Sequence, residues 1–147
     1  MKKTFSALCL LASAAVAQIH QPNGAELQLG IDRLSIVGSV LYIAAHPDDE
    51  NTALLSYFAK GKLYRTGYLS ITRGEGGQNA IGPELGLELG VIRTQELLAA
   101  RRIDGAEQLF TRAIDFGYSK SSEETLRLWN KDSILSDVVF VIRKFRP

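Results

Sequence analysis

The sequence predicts an α/β fold, a Rossmann-like parallel sheet with helices on both faces and incomplete at its C-terminus. Three observations predict it. Residues 40–45 form an unbroken apolar run, and such a run, with no polar alternation, reads as a strand covered on both faces of a parallel sheet. The elements that follow alternate strand, helix, strand, helix, which is the pattern of βαβ units. The first strand also runs straight into His46-Pro47-Asp48-Asp49-Glu50, a polar cluster at the carboxyl end of a strand, where open α/β sheets bind their ligands.

The elements follow in order. Lys2 and Lys3 precede an apolar stretch, residues 5–17, that is too short to span a bilayer and ends in Ala15-Val16-Ala17. Residues 1–17 therefore read as a secretory signal peptide with an A-x-A cleavage site. Cys9 sits in the middle of that stretch, with Leu8 before it and Leu10-Leu11 after, and reads as an ordinary leader residue. Residues 25–34 carry Leu27, Leu29, Ile31 and Leu34 at helical spacing. After the strand at 40–45, a helix over 52–60 closes at Gly61, and a second strand covers 64–72. A glycine-rich loop then runs from Gly74 to Gly90 and a long helix from Val91 to Ile103, stopping near Gly105. Residues 107–110 form a short strand and 113–120 a loop, after which Ser121, Ser122 and Glu124 supply a cap for a short helix with Leu126, Leu128 and Trp129. The stretch 134–145 has β-branched residues that suit a strand. It is read as a helix, because Ile134, Val138, Val141 and Phe145 share a face and Arg143, Lys144 and Arg146 cluster where the helix dipole favours cations.

Composition removes several classes of function. The 147 residues hold 17 basic and 16 acidic side chains; without Lys2 and Lys3 of the leader the balance is 15 to 16. That excludes a basic nucleic-acid-binding surface, and the mature chain contains no membrane span. The 46% hydrophobic and 22% charged residues suit one globular core. With Cys9 in the leader, disulfides, thiol nucleophiles and cysteine metal sites are excluded, and His20 and His46 are the only imidazoles. A metal site here must lean on carboxylates.

At the end of the first strand, His46 and Asp49 can converge across a tight turn through Pro47, as two ligands of a zinc site that needs three protein ligands and an open position. Asp48 would then stand beside the metal, where a general base belongs. Acidic residues at a helix N-terminus also serve as caps and complements to the dipole, so the residues alone leave both readings open.

The string Ala44-Ala45-His46-Pro47-Asp48-Asp49-Glu50 closely resembles the A-H-P-D-D-E signature of the PIG-L/LmbE-like zinc-dependent deacetylases. Thr72-Arg73-Gly74-Glu75-Gly76-Gly77 resembles the T-x-G-E-x-G loop of that family, and Arg93 with Glu96 its R-x-x-E. The resemblance implies a zinc-dependent amidohydrolase that removes the N-acetyl group from an N-acetylglucosamine-type sugar or a related amide. It implies His46 and Asp49 as zinc ligands, Asp48 as general base, and Arg93, Glu75 and Gln78 as substrate contacts. Arg93 can equally form an i,i+3 ion pair with Glu96, and the glycine loop can be a plain connector. The family's third ligand is a histidine from a later segment, and no histidine follows His46, so residues 18–147 are expected to be the N-terminal portion of a longer domain. Rival expectations are a secreted carbohydrate-binding module without catalysis, an inactive fragment of such a deacetylase, and a magnesium phosphohydrolase, the last disfavoured because imidazole is a poor ligand for magnesium.

The leader implies export to the periplasm or the extracellular space. N-terminal sequencing of the secreted protein is expected to begin at Gln18 or within a few residues of it, and a mature form that keeps Met1 would refute the assignment.

Overall fold

The computed structural model describes residues 21–147. The leader, its cleavage site and His20 lie outside the described residues. The described residues fall into two units, 21–31 and Asp32–Pro147. Helix α1 (Gly24–Arg33) begins in the first and ends in the second. Its start is a reciprocal cap: Asn23 Oδ1 accepts the N–H groups of Ala25 and Glu26 at 3.0 Å, and Glu26 Oε2 accepts the Asn23 N–H at 2.8 Å. The helix expected at 25–34 is present, and none of its side chains is buried.

The second unit holds, in order, β1 (Ser39–Ala44), α2 (Thr52–Ser56) continuing as a π-helical turn Tyr57–Gly61, β2 (Arg65–Ser70), α3 (Leu87–Asp104), β3 (Glu107–Phe110), α4 (Ser122–Leu128) and α5 (Lys131–Phe145). The three strands are parallel, with β2 between β1 and β3. Ala44 lies opposite Ser70, so β1 and β2 end level. Two further backbone bonds, Ile71 N–H to Ala44 O at 2.9 Å and Thr72 N–H to Ala45 O at 3.0 Å, carry the pairing past the strand ends. The turn after β1 and the loop after β2 are thereby brought side by side.

Residues 66–70 of β2 are all buried. On one face, Tyr68 packs with Leu55 of α2, Leu97 of α3 and Ala106, and Tyr42, Ala44 and Phe110 surround this core. On the other face Gly67 meets the ring of Phe145 at the end of α5. Helices therefore cover both faces, as the strand and helix pattern implies. Two bonds hold the C-terminal end of α5 to the start of the sheet: Ser39 Oγ donates to Arg146 O at 2.8 Å and Arg65 Nη1 to Phe145 O at 2.9 Å.

Three expectations need correction. Strand β1 is not covered on both faces: it is only partly buried and Ile43 is 42% exposed. Phe145 of α5 packs on Gly67 of β2, which makes β2 the covered strand. The glycine loop ends at Gly86, whose φ is +60°, and α3 starts four residues earlier than expected, with Gly90 inside it. A Cβ at Gly90 would stand 2.7 Å from Glu75 Cγ, so this glycine serves a close approach and does not break the helix. Helix α5 likewise begins at Lys131, because the Asn130 side chain accepts the Ser133 N–H at 3.1 Å. The choice of helix over strand there is correct. Gly105 closes α3 in the left-handed conformation, its N–H on Arg101 O, and Ser121 caps α4 through the Glu124 N–H. No helix among the described residues is long and apolar enough to cross a membrane.

The contact at Gly67 yields a test. A Cβ there would lie 2.7 Å from Phe145 Cε2 and 3.2 Å from Leu41 Cδ1. Gly67→Val is expected to cost about 1–3 kcal/mol by overpacking, read as a lower urea midpoint with an unchanged denaturant slope.

Candidate metal and substrate site

The turn that leaves β1 is tied in place before any ligand is considered. The Asp49 N–H donates to His46 O at 3.3 Å, and Asp49 Oδ2 in turn accepts the His46 N–H at 2.9 Å. The buried Tyr68 hydroxyl donates to the same His46 carbonyl. Burial pushes the Tyr68 phenol well above its ordinary range, so it remains a donor at any physiological pH. Tyr42 OH donates to Asp49 O at 3.3 Å. Past the turn, Asn51 Oδ1 accepts the Leu54 N–H at 2.9 Å and starts α2.

These bonds bring His46 Nδ1 to 3.1 Å from Asp49 Oδ2. Two ligands about 2.0–2.1 Å from a tetrahedral zinc stand roughly 3.3 Å apart. The imidazole and carboxylate thus fit as two neighbouring ligands of such an ion, and both side chains are less than half exposed. Among the described residues no group of three or more His, Cys, Asp or Glu side chains is gathered for a metal.

The three acids of the turn diverge. Asp49 folds back on His46, while Asp48 is 70% exposed with Oδ2 3.1 Å from Arg93 Nη2. Arg93 also lies 3.5 Å from Glu96 Oε2, so the pairing within the helix and the reach toward the site coexist. Glu50 turns inward to Arg101 at 3.1 Å, away from His46.

Facing the turn is a cleft of about 380 Å³ whose walls include His46, Asp48, Gln78, Arg93, Asp115 and Tyr118. Gln78 stands in the wall. Glu75 stands behind it: its buried Oε2 accepts the N–H groups of Arg73 and Asp115, each at 3.1 Å. That carboxylate joins the loop after β2 to the loop after β3, and Gly76 lies against Gly117, where a Cβ would be 2.2 Å from the Gly117 nitrogen.

Asp115 escaped the sequence reading. Its side chain is 5% exposed, with Oδ1 3.7 Å from His46 Nε2. The same oxygen accepts the Gly117 N–H at 2.9 Å, and Gly117 has a φ of +84°. An Asp two residues before a glycine is the available signal, since that pair makes a local turn, but nothing in the spacing points it at His46.

The fold and site define an α/β domain with a polar cleft at the carboxyl edge of a parallel sheet, carrying a paired imidazole and carboxylate beside an exposed second carboxylate. The chain belongs to the PIG-L family: the family model described as GlcNAc-PI de-N-acetylase matches residues 41–147. The family is generally one of deacetylases acting as amidohydrolases. Among solved structures, the chain is similar to GalB, the 4-carboxy-2-hydroxymuconate hydratase from Pseudomonas putida KT2440, at 22% identity and a TM-score of 0.49. That likeness covers 76% of this chain, which spans 45% of the GalB chain. No curated protein matches the sequence.

Tyr68→Phe removes the hydroxyl that holds the His46 carbonyl. It is expected to cost about 0.5–1.5 kcal/mol, the net worth of one hydrogen bond, because the His46 carbonyl keeps the Asp49 N–H. With Tyr68 intact, stability is present below about pH 10 and falls as pH rises further, where the unfolded phenol ionises and the folded one does not. Denaturation followed against pH in the two proteins checks both: the Phe variant starts lower and loses that part of the alkaline slope.

Proposed function

We propose that the protein is a zinc-dependent deacetylase that hydrolyses the N-acetyl group of an N-acetylglucosamine-type sugar or a related amide. The observation that carries this reading is the His46–Asp49 pair, with its donor atoms 3.1 Å apart at the carboxyl end of β1 and Asp48 beside it. His46 and Asp49 would hold the zinc with a third ligand from outside the described residues. When bound, zinc supplies Lewis-acid polarisation of the amide carbonyl and makes water more acidic.

The chain's own residues do the rest. Asp48, held by Arg93 and open to the cleft, takes a proton from the attacking water. Its other role is to return that proton to the departing amine as the C–N bond breaks, so that water and amide become acetate and amine. Arg93 and Gln78 offer donors to sugar hydroxyls from the cleft wall. Glu75 supports that wall through its hydrogen bonds to the Arg73 and Asp115 backbone. The leader read from the sequence puts this activity in an exported protein, periplasmic or extracellular.

In the full-length protein, Asp48→Asn is expected to keep zinc while turnover of an N-acetylated amino sugar falls by about 10²-fold or more. Asp49→Ala is expected to lose metal and activity together. Metal analysis beside a deacetylation assay separates the two, and near-normal turnover in Asp48→Asn would assign the base to another group.

A further inference from the structure

A buried ionic cluster lies directly behind the candidate metal ligands. Glu50 is the next residue after Asp49, and its side chain is 6% exposed. Its Oε1 is 3.1 Å from Arg101 Nη2, while Oε2 is buried and has no partner among the described residues. Arg101 is 4% exposed and is fixed from several sides. Its Nε and Nη2 donate to Asp104 Oδ2 at 3.0 and 2.7 Å, and Nη1 donates to Gln108 Oε1 at 3.2 Å. Gln108 Nε2 donates in turn to Tyr68 O at 3.2 Å, and the guanidinium stands 5.3 Å from the Tyr68 ring centre. The cation is anchored to α3, β3 and β2 at once, and Glu50 is the one acid it takes from the turn.

We infer that Arg101 is a positioning residue, acting through Glu50 to hold the turn in which His46 and Asp49 converge; this rests on reading that pair as metal ligands. Glu50 is joined by one peptide to Asp49 and by another to Asn51, the cap of α2, so it cannot leave its place without moving Asp49. A buried ion pair is a poor source of net stability, since well-packed apolar replacements often do as well. Removing one partner is different, because it strands the other charge in the interior. Arginine suits the position because its planar fork reaches Glu50, Asp104 and Gln108 together, which an ammonium does not.

The experiment compares the full-length wild type with Arg101→Met and with the paired Glu50→Leu/Arg101→Met. It reads the thermal midpoint, zinc affinity by competition with a chelator, and backbone hydrogen exchange over 46–50 in the metal-free protein. Arg101→Met is expected to lower the midpoint, weaken zinc about 10–100-fold and speed exchange in the turn. The paired replacement is expected to regain only part of the midpoint, because Asp104 stays buried without its cation, and neither zinc affinity nor protection of 46–50, because the apolar pair packs without specifying where Asp49 sits. If zinc affinity and protection return together with the midpoint, or if Arg101→Met leaves both unchanged, the role is structural only and the inference is overturned. A wild type that binds no zinc would refute the metal reading itself, and the metal-free exchange data would then decide whether Arg101 holds the turn.

Discussion

The structure depends on Tyr68 being completely buried in the central strand. Its ring is the hub of the core formed by Leu55, Leu97 and Ala106, and Tyr42 meets it edge-on with centroids 5.9 Å apart. Its hydroxyl, at the far end of the same ring, donates to the carbonyl of His46. One side chain therefore joins the packing of α2 and α3 to the position of the first candidate metal ligand. The residue before it has the opposite character for a related reason: Gly67 has no side chain, so Phe145 can close down on the other face of the sheet.

The turn after β1 divides three consecutive acids among three environments. Asp48 faces solvent and Arg93, Asp49 folds back on His46, and Glu50 enters the interior to meet Arg101. Both arginines belong to α3, eight residues and so about 12 Å apart along its axis. Spacings of three and four between Gly90, Arg93, Leu97, Arg101 and Asp104 keep all five on one side of the helix. That side supplies the close approach to Glu75, the guanidinium beside Asp48, a core leucine and the buried cation. Helix α3 thus fixes the site from the rim and from below, and its own position is set by Leu97 against Tyr68.

The opposite wall is built from loops, and it needs both glycine and charge. Gly76 lets two backbones approach within a distance that no side chain would permit, and Gly117 supplies a positive φ beside it. The Glu75 carboxylate then accepts one N–H from each loop, so that the Asp115 side chain is delivered toward His46. Burying a carboxylate is costly unless hydrogen bonds satisfy it, and here the backbone N–H groups of Arg73 and Asp115 do so.

Much of this was legible in the amino-acid order, because local chemistry decides it. The strand and helix alternation, the glycine that ends α3, the serine that starts α4 and the convergence of His46 with Asp49 all act within a few residues of chain. The sequence also grouped the candidate base and ligands, since the turn that holds them spans four residues, while their roles come from the family resemblance. What it could not show is set by contacts between distant segments. Which strand is covered on both faces depends on where Phe145 lands, and whether Glu75 faces the cleft depends on the loop after β3. Nothing in the spacing around Arg101 marks it as buried; only the packing of α3 against Tyr68 and Gln108 turns it inward. Asp115 reaches His46 for the same reason, because parallel pairing sets the ends of the strands side by side and brings together loops that are far apart in the chain.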